Sequence, residues 1–148
     1  MSDSNPSVQL TQVADYQFDI DFGNGLPPLR ADEPPPLGQA GGPSPVQLLA
    51  AAVGNCLSAS LLFALRKFKQ HPEPIGCQVS AEVGRNAEGR LRVLAMTAKL
   101  TLGVPAASLA SLPRVLDTFE SYCTVTQSVK AAIPVEVMVF DAQGVKLK

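Results

Sequence analysis

The stretch PSPVQLLAAAVGNCLSASLLFAL, residues 43–65, decides the fold. Ser44-Pro45-Val46-Gln47 reads as a helix start. Ser44 can cap, Pro45 suits the first helical position because its missing N–H would have no partner there, and Gln47 completes a capping box. The helix is expected to run to about Gln70, where His71-Pro72 stops it. Arg66, Lys67 and Lys69 near its end complement the helix dipole. Its first two-thirds are apolar nearly all round, so burial on most faces is expected. A membrane span over Val46–Leu65 is disfavoured, because Gln47, Gly54, Asn55, Ser58 and Ser60 interrupt it and strand-like segments flank it.

Upstream, Tyr16–Phe22 alternates apolar and polar, the period of a half-buried strand. Gly23-Asn24-Gly25 supplies a turn, and Val8, Leu10 and Val13 mark a first strand able to pair as a hairpin. Leu26–Pro45, LPPLRADEPPPLGQAGGPSP, is neither helix nor central strand, since proline removes the donors both need. It reads either as a surface linker or as a loop over a site, carrying Arg30, Asp32 and Glu33.

Downstream, Cys77–Val83 alternates, and residues 86–89 form a hairpin turn. Arg90–Leu102 is a long strand with Met96, Ala98, Leu100 and Leu102 on one face. Pro105–Tyr122 reads as a second helix split or kinked at Pro113. A short helix, Thr124–Ala131, and a last strand, Val135–Phe140, complete the chain. The order β-β-(β)-α-β-β-α-α-β indicates an α+β fold with antiparallel pairing, in one domain over residues 1–148.

Composition narrows the partners. The 148 residues are 46% hydrophobic and 17% charged, with formal net charge −1. No basic excess attracts nucleic acid or a membrane surface. With no Trp, 2 Tyr and 6 Phe, there is no platform for stacking bases. Three cysteines do not make a secreted disulfide framework, and MSDSNPSVQL has neither a basic nor an apolar leader region, so a reducing cytoplasmic setting is expected. There is one His, no CxxC and no GxGxxG after a strand, so neither a metal nor a nucleotide cofactor is expected. His71, beside Pro72 at a helix end, reads as a solvated cap. Without a second His, a Cys-His hydrolase is disfavoured.

The cysteines remain. Cys56 lies about eleven residues past the helix start, roughly 16 Å along, beyond the reach of the dipole. Burial among Ala and Leu would raise its pKa, so a reactive Cys56 needs a cation, and Arg30 is the candidate. Ala52, Val53, Ala59 and Ser60, three or four positions away, leave space above the sulfur for a ligand. Core packing is the competing reading of Cys56. Cys123 directly precedes a short helix, where free N–H groups would favour a thiolate and Thr124 and Thr126 share the cap. Cys77 heads the apolar face of a strand with Val79, Ala81 and Val83 and reads as core.

The run DEPPPLGQAGGPSPVQLLAAAVGNCLSASLLFALRK, followed by YCTVTQSVKAAIPVEVMV, resembles the OsmC/Ohr family of peroxide-stress proteins over roughly residues 15–140. The resemblance rests on P-S-P-x-Q-L-L-A-A-A-x-x-x-C and on Y-C-x-V. It implies an intertwined homodimer, with long central helices enclosed by sheets from both chains and two sites at the interface. It also implies cysteine-based peroxidase activity on organic hydroperoxides, with Cys56 attacking, Cys123 resolving, Arg30 as the cation, and a small dithiol or lipoylated protein as reductant. One departure matters. Active family members carry Glu after the helix-start proline, where it positions an Arg; Val46 stands here and cannot accept a hydrogen bond. Asp32, Glu33 or Glu120 are the candidate replacements. A weakened dimer that binds a small apolar ligand about Val46, Val53 and Ser60, or a redox sensor without turnover, is the alternative.

Overall fold

A computed structural model describes residues 5–148. Residues 1–4, the start of the stretch read above as lacking a leader, lie outside the described residues. The chain forms two compact units, one ending at Leu48 and the other spanning Leu49–Lys148.

The first unit is a three-stranded antiparallel sheet in the order β1-β2-β3, with β1 Gln9–Ala14, β2 Gln17–Asp21 and β3 Leu29–Ala31. The expected β1–β2 hairpin is present. β3 lies inside the Pro-rich segment that read as loop. It forms because Leu29, Arg30 and Ala31 fall between prolines and keep their donors, and it sits at a sheet edge, where few donors are required. Beyond it, Asp32 gathers the chain. Its buried carboxylate accepts the N–H groups of Glu33 (2.7 Å), Gln39 (3.2 Å) and Gly41 (2.9 Å), and the Gln17 side-chain amide (3.3 Å). The Gly41 N–H, foremost, holds this carboxyl below the usual range against the opposing effect of burial. Gly42 crosses β3 so closely that a Cβ there would lie 2.0 Å from the Arg30 carbonyl oxygen.

Helix α1, Pro45–Lys67, begins with the expected capping box: Ser44 N–H donates to Gln47 Oε1 (2.9 Å) and Gln47 N–H to Ser44 Oγ (3.2 Å). It ends earlier than the composition suggests. Gln70 N–H reaches the Leu65 carbonyl and Lys69 N–H that of Arg66, with Lys69 at φ 57°, which closes the helix as a Schellman cap with Lys in the place usual for Gly.

The second unit contains most of α1, a sheet in the order β4-β5-β6, and two short helices. β4, Gly76–Arg85, pairs antiparallel with β5, Leu91–Thr101. β6, Val135–Phe140, pairs parallel with β5, in contrast to the antiparallel neighbours. A parallel partner requires a crossover, which residues 102–134 provide. That crossover carries α2, Leu112–Thr118, and α3, Thr124–Lys130, with short 3-10 turns at Ala106–Ser108 and Phe119–Tyr122. Pro113 stands in the first turn of α2 and starts it rather than kinking a longer helix.

The core of this unit joins three surfaces. Val53, Leu57, Leu61 and Leu65 of α1, spaced by four, form one stripe. The β5 face Met96, Ala98, Leu100 and Leu102 is buried as its alternation predicts, beside Val135, Val137 and Val139 of β6. Leu109, Leu112, Val115, Leu116 and Phe119 close the third side. Each buried Leu or Val contributes about 1.5–3 kcal/mol. The expectation that α1 is buried on most faces is corrected: within one chain it buries that stripe and Gly54, while Ala51, Ala52, Ala59 and Phe63 are exposed. α1 is long and apolar enough to cross a bilayer, but its stripe is part of a protein core.

Candidate functional site

The second unit brings Cys56 and Cys123 together. Cys56 is half-buried on α1 and packs at the margin of the core cluster. Cys123 is fully buried where the Phe119–Tyr122 turn meets α3. Both are free thiols. The Cys123 sulfur lies close to that of Cys56 and 3.0 Å from the Thr126 hydroxyl oxygen. Thr126 is itself fully buried.

The electrostatics reverse one expectation. Cys123 occupies the N-cap position of α3, but its side chain makes no cap hydrogen bond, and α3 has only seven residues. Burial pushes the Cys123 thiol up, and its contact with the Cys56 sulfur raises it further; the Thr126 hydroxyl and, weakly, the Thr126 amide oppose this. Desolvation therefore wins over the helix terminus, and Cys123 holds its proton at neutral pH. Access points the same way. Of the two sulfurs, only that of Cys56 belongs to a residue open to an incoming molecule.

The other candidate residues lie as follows. Arg30, on β3, forms a two-pronged ion pair with Asp19 on the neighbouring β2, Nε to Oδ1 at 2.8 Å and Nη2 to Oδ2 at 3.1 Å. Their mutual attraction lowers the Asp19 pKa and raises that of Arg30. Val46 is half-buried in the first turn of α1, which holds no acidic residue. Val53 is fully buried in the core stripe. Ser60, one helical turn after Cys56, lines a groove of about 400 Å³ with Phe63, Lys67, Arg114 and Tyr122. Of the proposed stand-ins for the missing Glu, Asp32 is occupied by backbone N–H groups and Glu120 by Lys130 and Lys148.

Cys77 departs from its reading as core. It lies on the core-facing side of edge strand β4, opposite Leu100, yet the residue is mostly exposed. Its sulfur leans on α1 beside Gly54, and partial burial raises its pKa. Thr126 and Glu120 entered the sequence reading only as a shared cap and a spare carboxylate. The single signal for both was their spacing of three residues on either side of Cys123.

A half-exposed thiol on a long helix thus lies beside a buried thiol in a protein of α+β architecture. A family model described as OsmC-like protein matches residues 38–138, and the chain belongs to the OsmC-like family. No curated protein matches it. Among solved structures, an OsmC-like protein from Mycoplasma pneumoniae shares the fold with a TM-score of 0.79 at 13% identity, covering 94% of this chain and 98% of that one. An organic hydroperoxide resistance protein OsmC from Legionella pneumophila aligns with a TM-score of 0.73 at 14% identity, over 94% and 98%. The organic hydroperoxide resistance protein OhrB of Bacillus subtilis aligns with a TM-score of 0.68 at 12% identity, over 90% and 97%.

Proposed function

We propose that the protein is a thiol-dependent hydroperoxide reductase of peroxide-stress defence, working as a cytoplasmic homodimer. The contact between half-exposed Cys56 and buried Cys123 carries this reading. The names of the Legionella and Bacillus relatives, both organic hydroperoxide resistance proteins, support the substrate class.

In the reaction, the Cys56 thiolate attacks the outer peroxide oxygen. The O–O bond breaks, an alcohol leaves with the proton, and Cys56 becomes a sulfenic acid. The Cys123 sulfur then attacks the Cys56 sulfur. An S–S bond forms, the S–O bond breaks and water departs, so the two cysteines have together given two electrons to the peroxide. A dithiol or lipoylated protein returns them by exchange. Arg30 is the candidate cation for Cys56, and it is paired with Asp19. Both side chains of that pair are exposed, so solvent screens it.

A redox sensor without sustained turnover is favoured by two observations: the first turn of α1 holds no carboxylate, and Arg30 is already paired. Peroxide consumption with a dithiol separates the two. Wild type should consume a model organic hydroperoxide continuously while Cys56→Ser does not. Equal rates in both would end the peroxidase reading, and a single stoichiometric oxidation in wild type would leave the sensor.

A further inference from the structure

The turn that carries Cys123 is held by an ionic clasp. Glu120 is half-buried, and its carboxylate pairs with Lys130 of α3 (Nζ to Oε1, 3.1 Å) and, through Oε2, with Lys148. Burial alone would raise this carboxyl, but Lys148 and Lys130 outweigh it and hold it ionised below the usual range. The backbone of Glu120 adds two bonds: its carbonyl oxygen accepts the Cys123 N–H (3.1 Å) and the Gln127 side-chain amide (3.0 Å). One residue thus ties the 3-10 turn to α3 through both its main chain and its side chain.

Lys148 extends the tie to the sheet. Its ammonium also donates to the Leu116 carbonyl at 2.9 Å and lies over the ring of the buried Phe119. Its backbone is bonded to Val139 of β6. Cys123 is therefore fixed between α2, α3 and β6, and it points at Cys56 without any cap bond of its own.

We propose that Glu120, with Lys130 and Lys148, is the positioning residue for the resolving thiol: the clasp holds the Phe119–Cys123 turn so that Cys123 meets the Cys56 sulfenic acid in line. This rests on the peroxidase reading. Glu120 touches neither sulfur through its side chain and does not act on the peroxide. Its loss should leave the first oxidation unchanged and slow the S–S bond-forming step about tenfold, within the roughly hundredfold that a misplacement of an ångström can cost. The slower step leaves Cys56 longer as a sulfenic acid, so excess peroxide should convert more of it to sulfinic acid.

The test follows both steps by rapid mixing with a model organic hydroperoxide and mass measurement. Glu120→Gln should lose its first thiol at the wild-type rate, form the disulfide about tenfold more slowly, and gain mass at Cys56 under excess peroxide. Lys148→Arg, which keeps the charge, should form the disulfide at close to the wild-type rate. If Glu120→Gln does not fold, the milder Lys130→Gln takes its place with the same expectation. Disulfide formation at the wild-type rate, or an equal slowing of both steps, would overturn the proposal while leaving the peroxidase reading standing. Absence of any disulfide in oxidised wild type would instead overturn the peroxidase reading itself.

Discussion

At the residue scale, the proposed roles of the two sulfurs rest on their surroundings. Cys123 is buried, faces another thiol and keeps its proton. Its attack on a sulfenic acid requires the thiolate, so the disulfide-forming step should accelerate as pH rises from 7 towards and beyond the ordinary thiol pKa of about 8.5. Stopped-flow measurement of that step against pH checks it; a flat profile would mean that another group removes the proton. Cys123→Ser should stop at one sulfenic acid per chain, visible by mass or by a sulfenic-specific label. Arg30 shows the limit of reading along the chain. The sequence offers it as a candidate cation for Cys56, but its partner Asp19 lies across a strand pair whose existence depends on β3, hidden among prolines. Cys77 was misread for a similar reason: alternation assigns a face, but not whether the neighbouring element extends far enough to cover it.

At the scale of elements, α1 was the most legible part, because capping box, apolar run and basic end all agree. The alternation of β5 and the bounds of β6 were equally plain. The parallel pairing of β6 was not, since periodicity says nothing of strand direction. Leu57 anchors the stripe of α1, and Leu57→Ala should cost about 2–5 kcal/mol in denaturant unfolding. Gly54 sets two effects against each other. Alanine there gains about 1 kcal/mol of helix propensity. However, its Cβ would sit 2.8 Å from Cγ2 of Val79, whose branched side chain is stiff. Overpacking of about 1–3 kcal/mol should win, so Gly54→Ala is expected to destabilise the protein despite the better helix former. The Asp32 clasp has an acid signature. A folded pKa below the unfolded value stabilises above about pH 4 and loses that stability as pH falls through the folded pKa. Asp32→Asn should therefore flatten the acid limb of a plot of melting temperature against pH.

At the scale of the whole molecule, the chain leaves much apolar surface open. Ile20 and Ala31 are the buried apolar side chains of the first sheet, while Leu10, Val13 and Phe18 are exposed, as is Phe63 of α1 at 65%. A small sheet with so little cover does not stand alone in water, which is the physical ground for the proposed homodimer. Phe63→Asp should halve the mass measured by light scattering; a dimer that persists would place the interface elsewhere. The parallel seam between β5 and β6 bears on how the molecule comes into being. The β4–β5 hairpin is local and can close early, whereas Met96 finds Val135 only after the intervening crossover is made. On a growing chain the long β5 edge waits, unpaired, for the last segment to arrive. Until it does, Cys123 lacks the strand that Lys148 is bonded to, so the thiol pair is a late product of folding. Nascent chains should then pass through an interval in which Cys56 can be oxidised but not rescued by its neighbour.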